Sequence, residues 1–320
     1  MRLLYNKNVE NAIGKIYFLH FGKITDKRGF TMLLSTAISK LYQKGMSFDW
    51  IMDTVKRVGF DAMDFSFQYE EFRSPDTDTA KFKEEFIELR KRAEDKGLVF
   101  NQAHAYNPSS SPDPEKTDEI FEYLWRGIRN ASYLGAKCIV VHPYQHLPHN
   151  SLANREKLFE MNMEFYNRLK PYCEEFGIKI ALENLWKFNS DHIIVGSTCS
   201  TPDEFVRYLD ELNSDCFVAC LDVGHAALVD MNVKAFIKRL GHDRLKALHI
   251  HDVDGITDTH TVPYVGKIDW DSIAEGLREI DYDGDFTFET GKYFHFMPNE
   301  VFPEALALLA ATGRHIMKKI

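Results

Sequence analysis

The sequence lacks the short motifs that mark nucleotide and disulfide chemistry. It contains no G-x-G-x-x-G fingerprint and no Gly-rich P-loop, which argues against a doubly wound nucleotide-binding sheet. Cysteine is scarce: there are five, an odd number, and no two of them form a C-x-x-C pair. A disulfide framework is therefore not expected, and a reducing cytoplasm is the expected compartment.

The sequence also lacks long hydrophobic runs, and its basic residues are fewer than its acidic ones. No stretch approaches the ~20 apolar residues that a membrane-spanning helix needs, and the N-terminus has no apolar run of signal-peptide length. The formal net charge is −9 and the pI is about 5.8. Because an acidic surface repels a phosphate backbone, we expect neither nucleic acid nor a membrane as a partner.

The sequence does contain a regular alternation of strand-like and helix-like segments. This alternation predicts a single (β/α)8 TIM barrel over residues 29–320, preceded by an N-terminal extension over residues 1–28. The predicted strands are 30–35, 62–67, 98–103, 137–141, 179–182, 217–221, 245–250 and 285–288. The predicted helices are 48–58, 79–96, 114–134, 153–176, 202–212, 232–240, 270–279 and 300–318.

Capping residues support these helix boundaries. Short polar side chains that can accept a hydrogen bond from a helix N-terminus precede four of the helices, at Ser47, Asp113, Ser151 and Thr201. Glycines, which end helices readily, stand just before four of the strands, at Gly59, Gly97, Gly135 and Gly177.

Four predicted strands lead into residues that commonly bind metals. Strands five to eight end at Glu183, Asp222, His251 and Glu289. The carboxyl ends of barrel strands converge at one mouth, so we expect these side chains to meet there. Carboxylates with an imidazole suit one divalent cation such as Mn²⁺, Mg²⁺, Co²⁺ or Zn²⁺. His249 points to the same face as His251 and is expected to support the ligands, with direct ligation as the alternative.

Further polar and aromatic residues belong to the same predicted mouth. They end strands three and four, follow the metal-type residues by three positions, or lie in the loop after strand seven. Imidazoles and a carboxylate can bond sugar hydroxyls, and an aromatic ring suits the C–H face of a sugar. The expected substrate-binding residues are therefore His104, His142, Trp186, His225, Asp258 and His260.

Four segments, in this order, resemble the xylose-isomerase-like sugar phosphate isomerase/epimerase superfamily. They are A-L-E-N at 181–184, L-D-V-G-H-A at 221–226, L-H-I-H-D at 248–252 and G-K-I-D-W at 266–270. The resemblance begins at about Gly29 and runs to the C-terminus. Its ketose 3-epimerase branch implies one divalent metal bound by Glu183, Asp222, His251 and Glu289. It also implies that Glu183 and Glu289 exchange protons with the substrate from opposite faces, while His225 contacts sugar oxygens.

The resemblance implies a metal-dependent isomerase or epimerase that acts on a ketose through an enediolate. The metal would polarise the carbonyl, and the two glutamates would remove and return a proton. The ketose 3-epimerase branch often carries an Arg after the strand-seven histidine, and residues 252–256 contain none. The Asp-rich stretch at 251–255, followed by Asp258 and His260, is more similar to inositol-catabolism isomerases and keto-inositol dehydratases. A keto-inositol, or another cyclitol, and a dehydration therefore stay open, and we expect an unphosphorylated substrate.

A second class of enzyme shares these residue types. The apurinic endonuclease IV family binds three zinc ions and acts on abasic DNA. Its ligand positions match this chain in kind and order at His104, His142, Glu183, Asp222, His225, His251, Asp258, His260 and Glu289. The net charge of −9 disfavours a DNA backbone, and the aromatic neighbours Trp186, Tyr106 and Tyr144 suit a small enclosed substrate such as a sugar. A non-catalytic sugar-binding barrel is a third class, but it would not need two opposed carboxylates. Barrels of this kind often pair, so a homo-oligomer is a further expectation.

Overall fold

A ring of eight parallel strands forms the centre of the molecule. The structure, a computed structural model, describes residues 24–25, 31–230 and 232–320. The strands of the ring are β1 (Leu34–Ala37), β2 (Ala62–Ser66), β3 (Val99–His104), β4 (Cys138–Val140), β5 (Lys179–Glu183), β6 (Phe217–Asp222), β7 (Leu245–His249) and β8 (Phe286–Phe288). Each pairs in parallel with its neighbours in chain order, and β8 returns to β1.

The ring closes between β7 and β8 through few contacts. A single parallel bridge joins Ile250 to Phe288, and the amide of Ile250 donates to the Thr287 carbonyl at 2.8 Å. On the other side, β8 pairs with β1 in register, with Phe286 opposite Leu34. The closed ring and its surrounding helices confirm the predicted TIM barrel.

Eight long helices cover the outside of the ring. They are α1 (Phe48–Val58), α2 (Ala80–Asp95), α3 (Pro114–Leu134), α4 (Leu152–Phe176), α5 (Pro202–Leu212), α6 (Val233–Arg244), α7 (Trp270–Glu279) and α8 (Phe302–Met317). Their bounds agree with the predicted helices to within two residues, except at the end of α6. Gly241 interrupts α6 with a φ of 71°, so its regular part ends near residue 240, as predicted.

The predicted caps are present at most of the helix ends. The side chains of Ser47, Asp113 and Ser151 accept backbone N–H groups of α1, α3 and α4 at 3.3, 3.1 and 3.2 Å. Thr201 occupies the N-cap position of α5, but its side chain makes no capping bond. Left-handed backbone, which glycine adopts at little cost, ends three helices at Gly59, Gly135 and Gly177.

Small apolar side chains fill the ring beneath the mouth. This inner cluster consists of Cys138, Val140, Ala181, Val218, Cys220 and Ala247. Because alternate residues of a strand share a face, the next inward positions on β5, β6 and β7 are Glu183, Asp222 and His249. The polar site therefore lies directly above this apolar cluster, at the mouth of the ring. All five cysteines are free and buried, as expected for a chain without disulfides.

The N-terminal part differs from the predicted strand boundaries. Ile24–Thr25 pairs antiparallel with Thr31–Met32 as a short hairpin, and the ring begins only at Leu34. The rest of the predicted extension, and Phe30 where strand one was predicted to start, lie outside the described residues. No helix in the described part of the chain has both the length and the apolar character needed to cross a bilayer.

Candidate metal centre

Four metal-type side chains meet at the mouth of the ring. Glu183, Asp222, His249 and Glu289 each place one ligand atom within 4.8 Å of the others. Glu183, Asp222 and His249 end β5, β6 and β7, and Glu289 directly follows β8. We call this set the central group.

The structure differs from the prediction at the histidine of β7. His249, and not His251, belongs to the central group. The reason is the register between β6 and β7, which shifts at Ala219 and Cys220 and pairs Asp222 directly with His249. His251 lies two residues further out, where its Nε2 is 3.0 Å from an Asp222 oxygen. The alternative role for His249, direct ligation, is therefore the one that the geometry favours.

The chemistry of the central group fits a divalent cation. Three carboxylates and an imidazole are the donor set that Mn²⁺, Co²⁺ or Zn²⁺ accepts in proteins. His249 is fully buried, and neither of its ring nitrogens forms a hydrogen bond with the described residues. Its Nδ1 instead lies 3.4 Å from Glu183 and 3.6 Å from Glu289. Buried polar atoms nearly always have a partner, and a cation shared with these carboxylates would supply one.

Imidazoles hold the buried carboxylates of the central group in their charged form. Burial works to raise the pKa of Glu183, but the charges of His142 and His249 hold that pKa well below its ordinary value. For Asp222, burial is likewise overcome by the charges of His225 and His251, and its pKa falls to about 2. Both carboxylates are therefore anionic at neutral pH, as metal ligands must be.

A second cluster shares Glu183 with the central group. His104, His142 and Glu183 offer ligand atoms within 4.8 Å of one another, and His142 Nε2 lies 2.9 Å from Glu183. His104 Nε2 lies 3.6 Å from Glu289, on the open side of the site. Both of these predicted substrate-binding histidines therefore reach the mouth, where either a sugar oxygen or a further cation could contact them.

A third cluster lies on the other side of the central group. It comprises His225, His251, Asp258 and His260. His260 Nε2 is 2.8 Å from Asp258, while His251 and His260 stack with ring centroids 3.9 Å apart. Lys292 also reaches this cluster, since its ammonium lies 2.7 Å from the Asp258 carboxylate. The structure thus brings together every predicted polar site residue and divides them into three adjoining clusters.

Asp64 also belongs to the site, although it was not among the residues predicted from the sequence. Its carboxylate lies 3.0 Å from His104 Nδ1 and accepts the Gln102 amide at 2.9 Å. The pKa of His104 rises to about 10, because the Asp64 charge outweighs the opposing effect of burial. Asp64 fixes the His104 ring so that Nε2 faces the mouth. The signal in the sequence was a single Asp inside an otherwise apolar strand, β2.

Asp252 positions the long loop that follows β7. This fully buried carboxylate accepts the backbone amides of Val253, Tyr264 and Ile268 and the Trp270 indole, at 2.8 to 3.1 Å. These bonds fold residues 253–270 back onto the barrel. The loop carries Asp258 and His260, so the third cluster depends on Asp252.

The aromatic residues near the mouth have different surroundings. Trp186 begins a short antiparallel hairpin, Trp186–Phe188 with Ile194–Gly196, and its ring packs edge-on to His225 with centroids 6.3 Å apart. Tyr144 instead stacks on Phe165 in the core. Of these two aromatic residues, Trp186 is therefore the one whose ring adjoins the third cluster.

A cavity of about 270 Å³ opens beside the central group. His104, His142 and Glu289 form its inner wall. Asp64 also lines it, and the rest of the wall consists of small side chains, hydroxyls and carboxamides, with no Lys or Arg among the described residues. These remaining residues are Ala37, Ser39, Gln43, Ser66, Gln68, Tyr69, Ala105 and Asn107.

Comparison with known proteins identifies the family. The family described as "Xylose isomerase-like TIM barrel" matches residues 52–312, so the chain belongs to it. This confirms the superfamily that the four sequence segments indicated.

The proteins that the chain resembles include an epimerase, a probable endonuclease, an uncharacterized protein and a zinc-bound structure. A D-psicose 3-epimerase of Enterocloster bolteae is 26% identical over 240 residues, which cover 73% of each chain. A probable endonuclease 4 of Staphylococcus saprophyticus is 26% identical over 55% of this chain and 60% of its own. The uncharacterized protein y4fM of Sinorhizobium fredii is 31% identical, but the match spans only 52% of its length. The structure of an IOLI protein with a bound zinc atom superposes with a TM-score of 0.71 at 18% identity, covering 90% of this chain and 99% of that one.

Proposed function

We propose that this protein is a divalent-metal-dependent isomerase or epimerase of an uncharged ketose or keto-inositol. The observation that carries the proposal is the placement of Glu183 and Glu289 in one metal-type group, beside a cavity whose described lining contains no Lys or Arg. The name of the psicose 3-epimerase supports the same class of reaction, and the zinc atom bound in the IOLI structure supports a divalent metal.

The two glutamates would carry the proton. A divalent cation bound by Glu183, Asp222, His249 and Glu289 supplies Lewis-acid chemistry, which acidifies the carbon-bound proton beside a carbonyl. Glu289 follows β8 and has a quarter of its side chain exposed towards the mouth, whereas Glu183 ends β5 and is buried. One carboxylate would take the proton and the other would return it as general base and acid.

The remaining clusters would hold the substrate. His104 and His142 present imidazole nitrogens to the cavity, and its hydroxyl and amide groups can bond several sugar hydroxyls. The described residues that line this cavity include no Lys or Arg to neutralise a phosphate. An uncharged polyhydroxyl compound is therefore the substrate class that the lining favours.

The test is solvent-deuterium exchange in D2O with the metal-loaded protein and a panel of ketoses and keto-inositols. We expect exchange at a single carbon of one substrate. Glu183→Gln and Glu289→Gln should each slow the exchange by on the order of 10²-fold or more. Glu175→Gln, an exposed position on α4, is the matched control and should leave it unchanged. If both active-site variants kept their metal and near-full exchange, the two-glutamate mechanism would be wrong.

A second candidate function is a phosphodiesterase with three metal ions. It is favoured by the presence of four neighbouring groups of metal-type side chains, which include one of Asp64, His104 and His249 and offer room for more than one ion, and by the similarity to a probable endonuclease 4. Metal analysis of the purified protein, together with an oligonucleotide that contains one abasic site, separates the two candidates. Three zinc ions per chain with strand cleavage would support the phosphodiesterase, and one ion with carbon-bound proton exchange would support the isomerase.

A further inference from the structure

A cavity of about 830 Å³ lies behind the hairpin that carries Trp186. Its walls are the loop after β4, the start of α4, the hairpin, and the chain just before α5. The main contributors are residues 145–150, 187–190, 195–196 and 200–201. None of the residues of the three metal-type clusters lines it, so it is a separate compartment from the candidate metal centre.

The lining of this cavity is positively charged. Lys187 and Arg155 contribute a cation each, and His146 and His149 add two imidazoles. No Asp or Glu is among the lining residues, although acidic residues outnumber basic ones in the chain by 48 to 39. The charge of the cavity lining is therefore opposite in sign to the net charge of the protein.

Lys187 is held inside the cavity without a counter-charge. Its ammonium donates to the Leu147 carbonyl at 2.5 Å, and no carboxylate in the described part of the chain forms an ion pair with it. Burial lowers the pKa of Lys187, which shows that the ammonium is partly removed from water. An anion beside it would compensate for that loss of hydration.

A carboxylate next to the cavity binds one of its imidazoles. Glu204 lies in the first turn of α5, and one of its oxygens is 2.9 Å from His149 Nε2. This pair anchors His149 in the cavity wall, while the other Glu204 oxygen is buried without a hydrogen-bond partner in the described part of the chain. Glu204 forms no ion pair there with Lys187 or Arg155, the two cations that line the cavity.

The hairpin separates this cavity from the candidate metal centre. Successive residues of a strand point to opposite faces, so Trp186 and Lys187 face different sides. Trp186 packs beside His225, whereas Lys187 lines the cavity. A ligand held by Lys187 would therefore brace the strand that positions Trp186.

We propose that this cavity binds a small molecule bearing an oxyanion, such as a phosphate group, between Lys187 and Arg155. Planar guanidinium and compact ammonium groups are the side chains that bind phosphate oxygens most strongly. The volume admits a phosphorylated sugar as well as free phosphate. The inference does not depend on the proposed reaction, since no residue of the metal-type clusters takes part.

Calorimetric titration of the metal-loaded protein tests the proposal. Inorganic phosphate, fructose 6-phosphate and unphosphorylated fructose are the three probes, which separate free phosphate from a phosphate ester and from the sugar alone. We expect a phosphate-bearing probe to bind, and Lys187→Met and Arg155→Met each to weaken it about tenfold or more. Lys187→Arg, which keeps the charge, should retain most of the binding.

Two charge-matched controls are Lys91→Met on α2 and Arg57→Met on α1, both exposed and outside the cavity. They should bind the probe like the unaltered protein. Thermal unfolding without a probe checks that each variant is folded. Failure of phosphate and fructose 6-phosphate to bind at millimolar concentration would overturn the proposal. So would binding of equal strength in the Lys187→Met and Arg155→Met variants, because the anion would then lie elsewhere, for example at the metal centre.

Discussion

The imidazole of His251 packs directly against the backbone of Gly224. A Cβ added at residue 224 would lie 2.0 Å from His251 Cε1, far inside van der Waals contact. The same imidazole bonds Asp222, which the central group needs. Because Gly224 has no side chain, it leaves the space that the His251 imidazole occupies.

Gly224→Ala should therefore displace His251 and disturb Asp222. We expect overpacking to cost about 1–3 kcal/mol of unfolding free energy, together with a loss of metal affinity. Chemical denaturation and metal titration measure the two effects. Gly291→Ala is the control, because an added Cβ there has no atom within 4 Å. Equal behaviour of the two variants would show that His251 does not require the space.

The two histidines near the end of β7 should differ in their effect on metal content. His249→Ala removes a member of the central group, so the purified variant should lose its metal. His251→Ala removes only a partner of Asp222, and should weaken binding about 10–100-fold without abolishing it. Elemental analysis after dialysis gives the ratio of metal to chain. The opposite order of effects would restore His251 as the ligand.

The Asp64–His104 pair predicts a pH dependence of stability in the metal-free protein. The folded-state pKa of His104, about 10, lies above its ordinary value of 6.5. The folded chain therefore binds this proton more tightly than the unfolded chain does. The resulting stabilisation is complete below about pH 6.5 and is lost as the pH rises through about 10.

Urea unfolding with a chelator present, from pH 6 to pH 10, measures this loss. In Asp64→Asn the carboxylate that raises the pKa is gone, so the unfolding free energy should depend less on pH over the same interval. An unchanged slope in the variant would contradict the assignment.

Asp252 should matter for stability although it touches no ligand atom of the three clusters. Asp252→Asn turns an acceptor of four hydrogen bonds into a group with its own donors, which would face the N–H groups of Tyr264 and Trp270. Each buried group left without a partner costs about 1–3 kcal/mol. Asp95→Asn, at an exposed position at the end of α2, is the control. Denaturation curves should separate the two variants, and similar midpoints would refute the anchoring role.

The fold could be predicted from the sequence because its signals are local. Helix caps such as Ser47 and Asp113, and apolar runs of fixed length, depend only on neighbouring residues. The convergence of Glu183, Asp222 and Glu289 followed from barrel topology alone.

The rest of the site depends on contacts distant in sequence. The choice between His249 and His251 depends on a register shift between two strands, which alternation within one strand cannot reveal. Asp64 acts through a side chain 40 residues away. The cavity behind the hairpin likewise combines three segments, none of which has a distinctive pattern.

The central group lies where β7 and β8 meet, so an ion bound there would stabilise the closure of the ring. His249 ends one of these strands and Glu289 follows the other, and only a few backbone bonds, including Glu289 N to Ile250 O at 3.1 Å, hold the two together. An ion bound by both side chains would cross-link the ring where it is least paired. Its binding free energy would then add to the closure of the barrel. Amide hydrogen exchange at Ile250 and Glu289 would register that cross-link as slower opening.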